Sequence, residues 1–168
     1  RKEPVNLEAL VNSIESGVCD LVEKEQVKII TKFSDVPVFT TIRSYLHSIF
    51  SNLILNSIKY RRPGVAPIIE IRSEEKNGNI ILYFKDNGLG IDLTKKEEHV
   101  FGLYKRFHPH VEGKGMGLFM VKTQVEMLGG KVSVLSEVDK GTEFIIEFKA
   151  VDSDFTAAYE NSTLLHSS

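Results

Sequence analysis

Apolar side chains recur along this chain at two different spacings, and the two spacings predict helices and strands. Three segments repeat apolar residues every three or four positions, as one face of an α-helix does, and they span Pro4 to Glu25, Thr41 to Tyr60 and Met116 to Leu128. Shorter segments with alternating or continuous apolar residues predict strands at Val27 to Phe33, Pro67 to Ser73, Asn79 to Lys85, Lys131 to Glu137 and Thr142 to Lys149.

Residues that favour turns and helix ends separate these segments. Asn6 is a candidate N-cap for the first helix, and Gly129-Gly130 is the expected stop of the third. Asp35-Val36-Pro37 ends the first strand, and Asn77-Gly78 joins the next two as a hairpin.

The order of the elements predicts the fold class. Helices and strands do not alternate one for one, which argues against a doubly wound parallel fold, and one mixed sheet with all helices on one face is the simplest two-layer arrangement. We therefore predict an α/β (α+β) two-layer sandwich for residues 1–150. From Val151 the apolar content thins and Ser, Thr and Asn accumulate, so 151–168 is predicted to be a peripheral tail.

Composition is typical of one ordinary globular domain. The 168 residues are 42% hydrophobic and 26% charged, and the net charge of −2 favours neither nucleic acid nor an anionic membrane as a partner. The single cysteine, Cys19, cannot form an internal disulfide, which fits a reducing compartment, and its apolar helical surroundings predict a small core residue. No apolar run is long enough for a membrane span, and no signal peptide is recognisable. Because the chain begins at Arg1 rather than Met, we expect it to be part of a longer protein.

The second helix carries a polar group of unusual composition. Asn52, Asn56, Lys59 and Tyr60 fall within about a quarter-turn of one another, largely opposite Leu46, Phe50, Ile54 and Ile58. A solvent-exposed face is the ordinary interpretation, but such faces usually carry Glu and Lys, and Asn is a poor helix former. Amide oxygens are suitable ligands for Mg²⁺ beside substrate phosphates.

Two turns that contain glycines are the second and third candidate functional regions. Asp86 ends an apolar strand and is followed by Gly88 and Gly90, which is a strong turn sequence but also one that lets another group approach the backbone. A carboxylate there could accept a hydrogen bond from an amino group on a base.

The second turn holds Gly113, Gly115 and Gly117, which open the third helix, where backbone N–H groups favour phosphate. Its spacing fits neither the P-loop nor the dinucleotide-binding fingerprint.

Taken in order, these motifs resemble the ATP-binding catalytic domain of sensor histidine kinases, within the GHKL superfamily. The resemblance covers roughly residues 5 to 149. The matching motifs are an N box at Asn52 to Tyr60, a first glycine box at Asp86 to Ile91, a phenylalanine box at Phe101 to Phe107, a second glycine box at Gly113 to Leu118, and a closing glycine-threonine element at Lys140 to Phe144.

The resemblance implies a Bergerat-type fold, with a mostly antiparallel five-stranded sheet and three helices, and a role for each matching residue. Asn56 would ligate Mg²⁺ that bridges the phosphates of ATP, with Asn52 assisting. Lys59 would meet the phosphates, and Tyr60 would lie against the base. Asp86 would accept the hydrogen bond from the adenine amino group. The remaining nucleotide-binding residues it implies are Gly88, Gly90, Ile91, Tyr104, Arg106, Lys114, Gly115, Met116, Gly117, Leu118 and Thr142.

The chain departs from the family pattern at two places. The segment between Phe107 and Gly113 is shorter than the lid of many members and is similar to the compact lid of phytochrome-type kinases, so Arg106 and Lys114 become the expected cations at the transferred phosphoryl group. None of the histidines (His47, His99, His108, His110 and His166) is followed by the acidic residue that marks a phosphoacceptor helix. His108 and His110 flank a proline, and a metal pair there stays an open alternative.

The resemblance therefore implies a protein-histidine kinase domain without its own acceptor histidine. We expect the acceptor and dimerisation helices of the parent kinase to precede Arg1, with a response regulator as the downstream partner. The expected location is the cytoplasm, with no nucleic-acid or membrane contact by this domain, although the parent could be anchored upstream.

Two alternatives remain. Hydrolases and serine kinases of the same superfamily, such as the topoisomerase, mismatch-repair and anti-sigma branches, have a glutamate base where this chain has Asn52, which cannot take a proton. A degenerate docking module would have lost residues such as Asn56 or Asp86, which are present.

Overall fold

A computed structural model describes residues 1–95, 100–101 and 117–149 of the chain. The elements are β1 (Glu3–Asn6), α1 (Leu7–Gly17), α2 (Cys19–Glu25), β2 (Lys28–Lys32), β3 (Val38–Thr41), α3 (Arg43–Lys59), β4 (Ile68–Lys76), β5 (Asn79–Asp86), a 3₁₀ turn (Leu93–Lys95), α4 (Gly117–Met127), β6 (Gly130–Glu137) and β7 (Gly141–Phe148). The predicted tail, 151–168, lies outside the described residues, and so does most of the segment between Thr94 and Gly117.

The predicted sheet is confirmed. Five strands follow the order β2-β4-β5-β7-β6, with β2 and β4 parallel and every other neighbouring pair antiparallel. The turn between β4 and β5 has positive φ at Asn77 and Gly78, as a tight hairpin requires.

A second, two-stranded sheet was not predicted. β1 and β3 pair antiparallel, and the buried side chains of Val5 and Phe39 lie opposite each other in this pair. Each strand has four residues, which is too short for alternation to be recognised, and in the sequence β1 merges with the helical pattern that follows it.

The first predicted helix, Pro4 to Glu25, is wrong as one element. Its opening residues form β1, and Asn6 caps α1 as predicted, its Oδ1 accepting from the Ala9 amide at 2.9 Å. The helix breaks at Val18, which leaves the helical region with φ −124°, so the described residues contain four α-helices rather than three. Because α2 buries no side chain, Cys19 is exposed, and its predicted place in the core is also wrong.

The core lies between the helices and one face of the sheet. α3 turns its apolar side to that face, and the predicted arc of Leu46, Phe50, Ile54 and Ile58 is fully buried. The ring of Phe50 meets that of Phe84 edge-on, with centroids 4.8 Å apart. Strand register aligns Phe84 with Ile71 on one side and Phe144 on the other, so one row of the sheet supports the middle of α3.

This packing brings the end of α3 close to the end of β5. Side chains alternate along a strand, so Asp86 lies on the same face of the sheet as Phe84, two residues earlier. The backbone continues the connection, because the Leu89 amide donates to the carbonyl of Tyr60, which ends α3, at 2.9 Å. The core therefore fixes the position of Asp86 relative to the polar side of α3.

None of the helices in the described ranges is long and apolar enough to cross a membrane.

The turn after β5 packs against the turn between β6 and β7 through Gly90. This glycine has φ 71°, and a Cβ there would overlap the carbonyl oxygen of Glu137. Next to it, the Asp139 amide donates to the Leu89 carbonyl at 2.8 Å. The close approach expected at Gly90 is thus made by the protein's own backbone.

We predict that Gly90→Ala lowers the free energy of unfolding by about 3 kcal/mol, because left-handed strain and steric overlap add. Gly64→Ala is the matched control: Gly64 has φ 74°, but nothing lies within 4 Å of its would-be Cβ, so only the strain of about 1 kcal/mol is expected. Urea denaturation of both variants measures the difference. Equal losses would contradict the close packing of the two turns.

Candidate functional site

The carboxylate of Asp86 lies at the centre of the candidate site and is held by three donors. Its Oδ1 accepts from the backbone amides of Gly88 at 2.9 Å and Thr142 at 3.1 Å. Its Oδ2 accepts from the hydroxyl of Ser57, on α3, at 2.8 Å. The carboxylate therefore connects three parts of the fold that are far apart in sequence, and its orientation is fixed from both sides.

Burial determines the electrostatics of this carboxyl group. Desolvation raises the pKa of Asp86 above its usual value, while the hydrogen bonds from Gly88, Ser57 and Thr142 act in the opposite direction. An ionised carboxylate accepts hydrogen bonds and cannot donate them. In this form Asp86 suits a ligand that presents an N–H group.

Thr142, predicted from the closing motif, lies in a network of hydroxyl groups beside Asp86. Its hydroxyl is 2.8 Å from that of Ser136, which donates to the Gly141 carbonyl at 2.9 Å. Ser136 also accepts from the amide of Ile91 at 2.8 Å. Ser136 thus joins two predicted residues, Ile91 and Thr142, to the end of the β6–β7 hairpin.

The polar side of α3 is arranged as the helical spacing predicted. Asn52, Asn56, Lys59 and Tyr60 are all half-buried, next to the fully buried apolar side of the same helix. The Lys59 ammonium lies 5.4 Å from the centroid of the Tyr60 ring, within the range of a cation–π contact. Asn52 Nδ2 donates to Ser48 Oγ at 3.4 Å.

Asn56 is the candidate metal ligand of this group. Its side chain makes no hydrogen bond to any other residue in the described part of the chain, so its oxygen is available there to a ligand. A neutral amide oxygen fits Mg²⁺, which binds few protein groups and keeps several waters or phosphate oxygens. The residues present therefore fit the predicted metal.

Gly88 packs tightly inside the protein. A Cβ on Gly88 would come within 2.6 Å of the Tyr60 carbonyl oxygen, so a larger residue would push the turn away from α3. Gly88 is thus required for the geometry of Asp86, whose Oδ1 binds its amide, whether or not a ligand lies beside it.

One end of the second glycine box is described. Gly117 begins α4, and a Cβ on it would lie 3.7 Å from Asn52 Oδ1, so α4 starts next to the polar side of α3. Leu118 follows and is half-buried. The other predicted residues of this region, Tyr104, Arg106, Lys114, Gly115 and Met116, lie outside the described residues.

Sequence reasoning missed three residues that shape this site. Asn87 holds the preceding loop, accepting from the Ile68 amide at 2.8 Å and donating to the Ala66 carbonyl at 3.2 Å. Ser57 and Ser136 were not singled out either. For Ser57 a signal existed, because a hydroxyl on the apolar side of a helix needs a partner in the core.

Comparison with known proteins identifies the family. The family model described as histidine kinase-, DNA gyrase B-, and HSP90-like ATPase matches residues 41–152, which is well over half of the chain. The methanogenesis regulatory histidine kinase FilI of Methanothrix harundinacea is 37% identical over 92 residues, covering 55% of this chain and 10% of that protein. The sensor protein SrrB of Staphylococcus aureus is 36% identical over 117 residues, covering 66% of this chain and 19% of that protein.

Solved structures agree on the fold. The catalytic domain of histidine kinase ThkA superposes with a TM-score of 0.74 at 20% identity, covering 89% of this chain and 95% of that one. This chain spans only about a tenth to a fifth of the length of the two curated relatives. It belongs to the family of histidine kinase-, DNA gyrase B- and HSP90-like ATPases, and it is similar to the catalytic ATPase domains of sensor histidine kinases.

Proposed function

We propose that this domain binds Mg²⁺-ATP and transfers the γ-phosphoryl group to a histidine on an acceptor helix elsewhere in its parent sensor kinase. The observation that carries the proposal is the position of the Asp86 carboxylate. Three hydrogen bonds hold it at the end of β5, beside the last turn of α3, whose adjacent polar side carries Asn52 and Asn56. ATPase family membership supports the nucleotide, and the related sensor kinases support the acceptor.

The adenine end of the proposed site is formed by Asp86 and its neighbours. An ionised Asp86 accepts from the exocyclic amino group of adenine and offers no donor to a keto group. Tyr60 contributes its ring near the base, and Thr142 closes the opposite side, where its backbone amide donates a hydrogen bond to Asp86. Gly88, Gly90 and Ile91 form the turn that keeps these groups together.

The phosphate end is formed by α3 and the start of α4. Asn56 would hold Mg²⁺ with Asn52 nearby, and bound Mg²⁺ would neutralise charge on the phosphate oxygens. Lys59, close to Tyr60, supplies a protein cation on the same side of the helix. The roles of Arg106 and Lys114 as further cations remain predictions. The same holds for the nucleotide contacts predicted for Tyr104, Gly115 and Met116.

Asn52 favours a histidine acceptor over water or a serine hydroxyl. Neutral imidazole is already nucleophilic, whereas water and hydroxyl groups need a base to take their proton. An amide cannot serve as that base, and in this structure Asn52 donates to Ser48 through its Nδ2. The domain therefore needs to position ATP and neutralise its charge, which is most of the catalysis in phosphoryl transfer.

The expected partners follow from this reaction. They are the dimerisation and acceptor helices of the parent kinase and a downstream response regulator. The proposed location is the cytoplasm, where ATP is supplied, and the proposal includes no nucleic-acid or membrane contact by this domain.

Phosphoryl transfer is tested directly with labelled ATP. The domain, mixed with a separate protein carrying acceptor helices from a related sensor kinase or linked to its own upstream helices, is expected to transfer label to the acceptor. The label should be lost in acid and kept in base, as phosphohistidine is. Label that survives acid would point to a hydroxyl acceptor, and release of free phosphate alone would favour the hydrolase alternative.

Asn56→Ala is expected to abolish phosphoryl transfer and to remove most of the increase in ATP affinity that Mg²⁺ produces. The reason is that the variant lacks the amide oxygen proposed as the metal ligand. Calorimetric titrations with and without Mg²⁺ measure the effect. Asn12→Ala, an exposed asparagine on α1, is the control and should behave as the parent protein does. An unchanged Mg²⁺ dependence in Asn56→Ala would refute the metal assignment.

The Asp86→Asn variant tests ATP binding in a protein that should keep its fold. Asparagine keeps an acceptor for the Gly88 and Thr142 amides and can donate to Ser57, so the fold should be retained. Because the Oδ2 acceptor becomes a donor, ATP affinity is expected to fall at least about tenfold, or about 1.4 kcal/mol. Calorimetry measures this loss, and unchanged affinity would contradict the adenine assignment.

The stability of Asp86→Asn relative to the parent should also depend on pH, and this dependence tests the direction of the pKa shift of Asp86. The raised pKa means that folded Asp86 holds its proton more tightly than the unfolded chain does, so this residue lowers the stability of the parent as pH rises past about 3.9. Asp86→Asn lacks this loss. Urea denaturation without nucleotide should therefore show the stability of Asp86→Asn relative to the parent increasing as pH rises above about 3.9 and levelling off once folded Asp86 is ionised. A relative stability that falls as pH rises would contradict the sign.

A further inference from the structure

Ser57 is the one hydroxyl on the buried side of α3. The other buried residues of this helix are all apolar, and Ser57 itself is only 4% exposed. A buried hydroxyl without a partner is costly, so such a group is normally paired. Here its partner is Asp86 Oδ2, 2.8 Å away and 29 residues later in the chain.

The two oxygens of Asp86 are held in different ways. Oδ1 is held by two backbone amides, those of Gly88 and Thr142, so its support comes from the main chain. Oδ2 is held by a side chain, and Ser57 is its single hydrogen-bond donor among the described residues. One carboxylate oxygen accepts about two hydrogen bonds, so Oδ2 keeps one place for a ligand.

We propose that Ser57 is a positioning residue for base recognition, whose hydroxyl orients Asp86 Oδ2 and so strengthens the preference for a purine that carries a 6-amino group. The inference rests on the proposed ATP site and adds Ser57 to the residues that determine its preference for the base. Ser57 acts through Asp86 and need not touch the nucleotide.

Two physical effects produce the preference. The hydrogen bond restricts rotation of the carboxylate, so less rotational freedom is lost when the amino group binds. Donation from a hydroxyl also stabilises the ionised form over the protonated form, and only the ionised form is a pure acceptor. Both effects act on the contact with the amino group and leave contacts with ribose and phosphates unchanged.

The test compares two ligands in two proteins. ADP and the diphosphate of purine riboside differ only in the 6-amino group, and calorimetry gives the dissociation constant of each. In the parent we expect ADP to bind more tightly. In Ser57→Ala we expect the ratio of the two constants to shrink about three- to tenfold, with most of the loss on ADP. Alanine is the best helix former, so the variant should keep α3 intact.

Two further variants separate positioning from a merely structural role. Ser73→Ala is the matched control, because Ser73 is also a buried serine, but its hydroxyl donates to the Val36 carbonyl, away from Asp86. It should leave the ratio unchanged. Ser57→Thr keeps the hydroxyl and should restore the ratio at least in part.

The outcomes distinguish this inference from the function on which it rests. If the parent prefers ADP and Ser57→Ala keeps the same ratio, or loses affinity for both ligands equally, the positioning role is wrong while the ATP site stands. If the parent binds neither ligand, the proposed function itself fails. If the parent binds both equally, the adenine assignment of Asp86 fails, and the role of Ser57 fails with it.

Discussion

The site depends on one carboxylate that is held partly away from water by donors from three parts of the chain. Gly88 and Thr142 bind Asp86 through backbone amides, and Ser57 binds it through a hydroxyl. Burial disfavours the charge, as the raised pKa shows, and the donors compensate part of that cost. A buried carboxylate that three donors hold in one orientation is suited to accept a hydrogen bond from a base.

The glycines of the turn that follows β5 are needed to position this carboxylate, whether or not a ligand is bound. Gly88 lets the turn approach the Tyr60 carbonyl, and Gly90 lets it approach the hairpin between β6 and β7. The hairpin in turn brings the Thr142 amide to Asp86. The close backbone packing of this turn therefore also sets the geometry of the site. A substitution that loosened the turn would be expected to impair both stability and binding.

The sequence predicted well what depends on local periodicity and on motifs. The amphipathic spacing of α3 placed Asn52 and Asn56 on one side and Leu46 and Ile54 on the other, as the structure confirms. It failed where long-range packing decides: the break at Val18 separates a buried helix from an exposed one, although both have apolar residues at helical spacing. The hydrogen bond between Ser57 and Asp86 could not be predicted either, because no local pattern links two residues that are 29 positions apart, with β4 and most of β5 between them.

Ser57 also shows why the two sides of α3 cannot be treated separately. It directly follows Asn56, the candidate metal ligand, yet its hydroxyl points towards the sheet and reaches the candidate base-recognition residue. Neighbouring residues on a helix are about 100° apart around the axis, so one turn of α3 can serve both ends of a nucleotide. The rigid core beneath Phe50 and Phe84 then fixes the distance between those ends. A change that tilted α3 on the sheet would therefore alter metal and base contacts together, whereas a change at Ser57 alone should affect only the base.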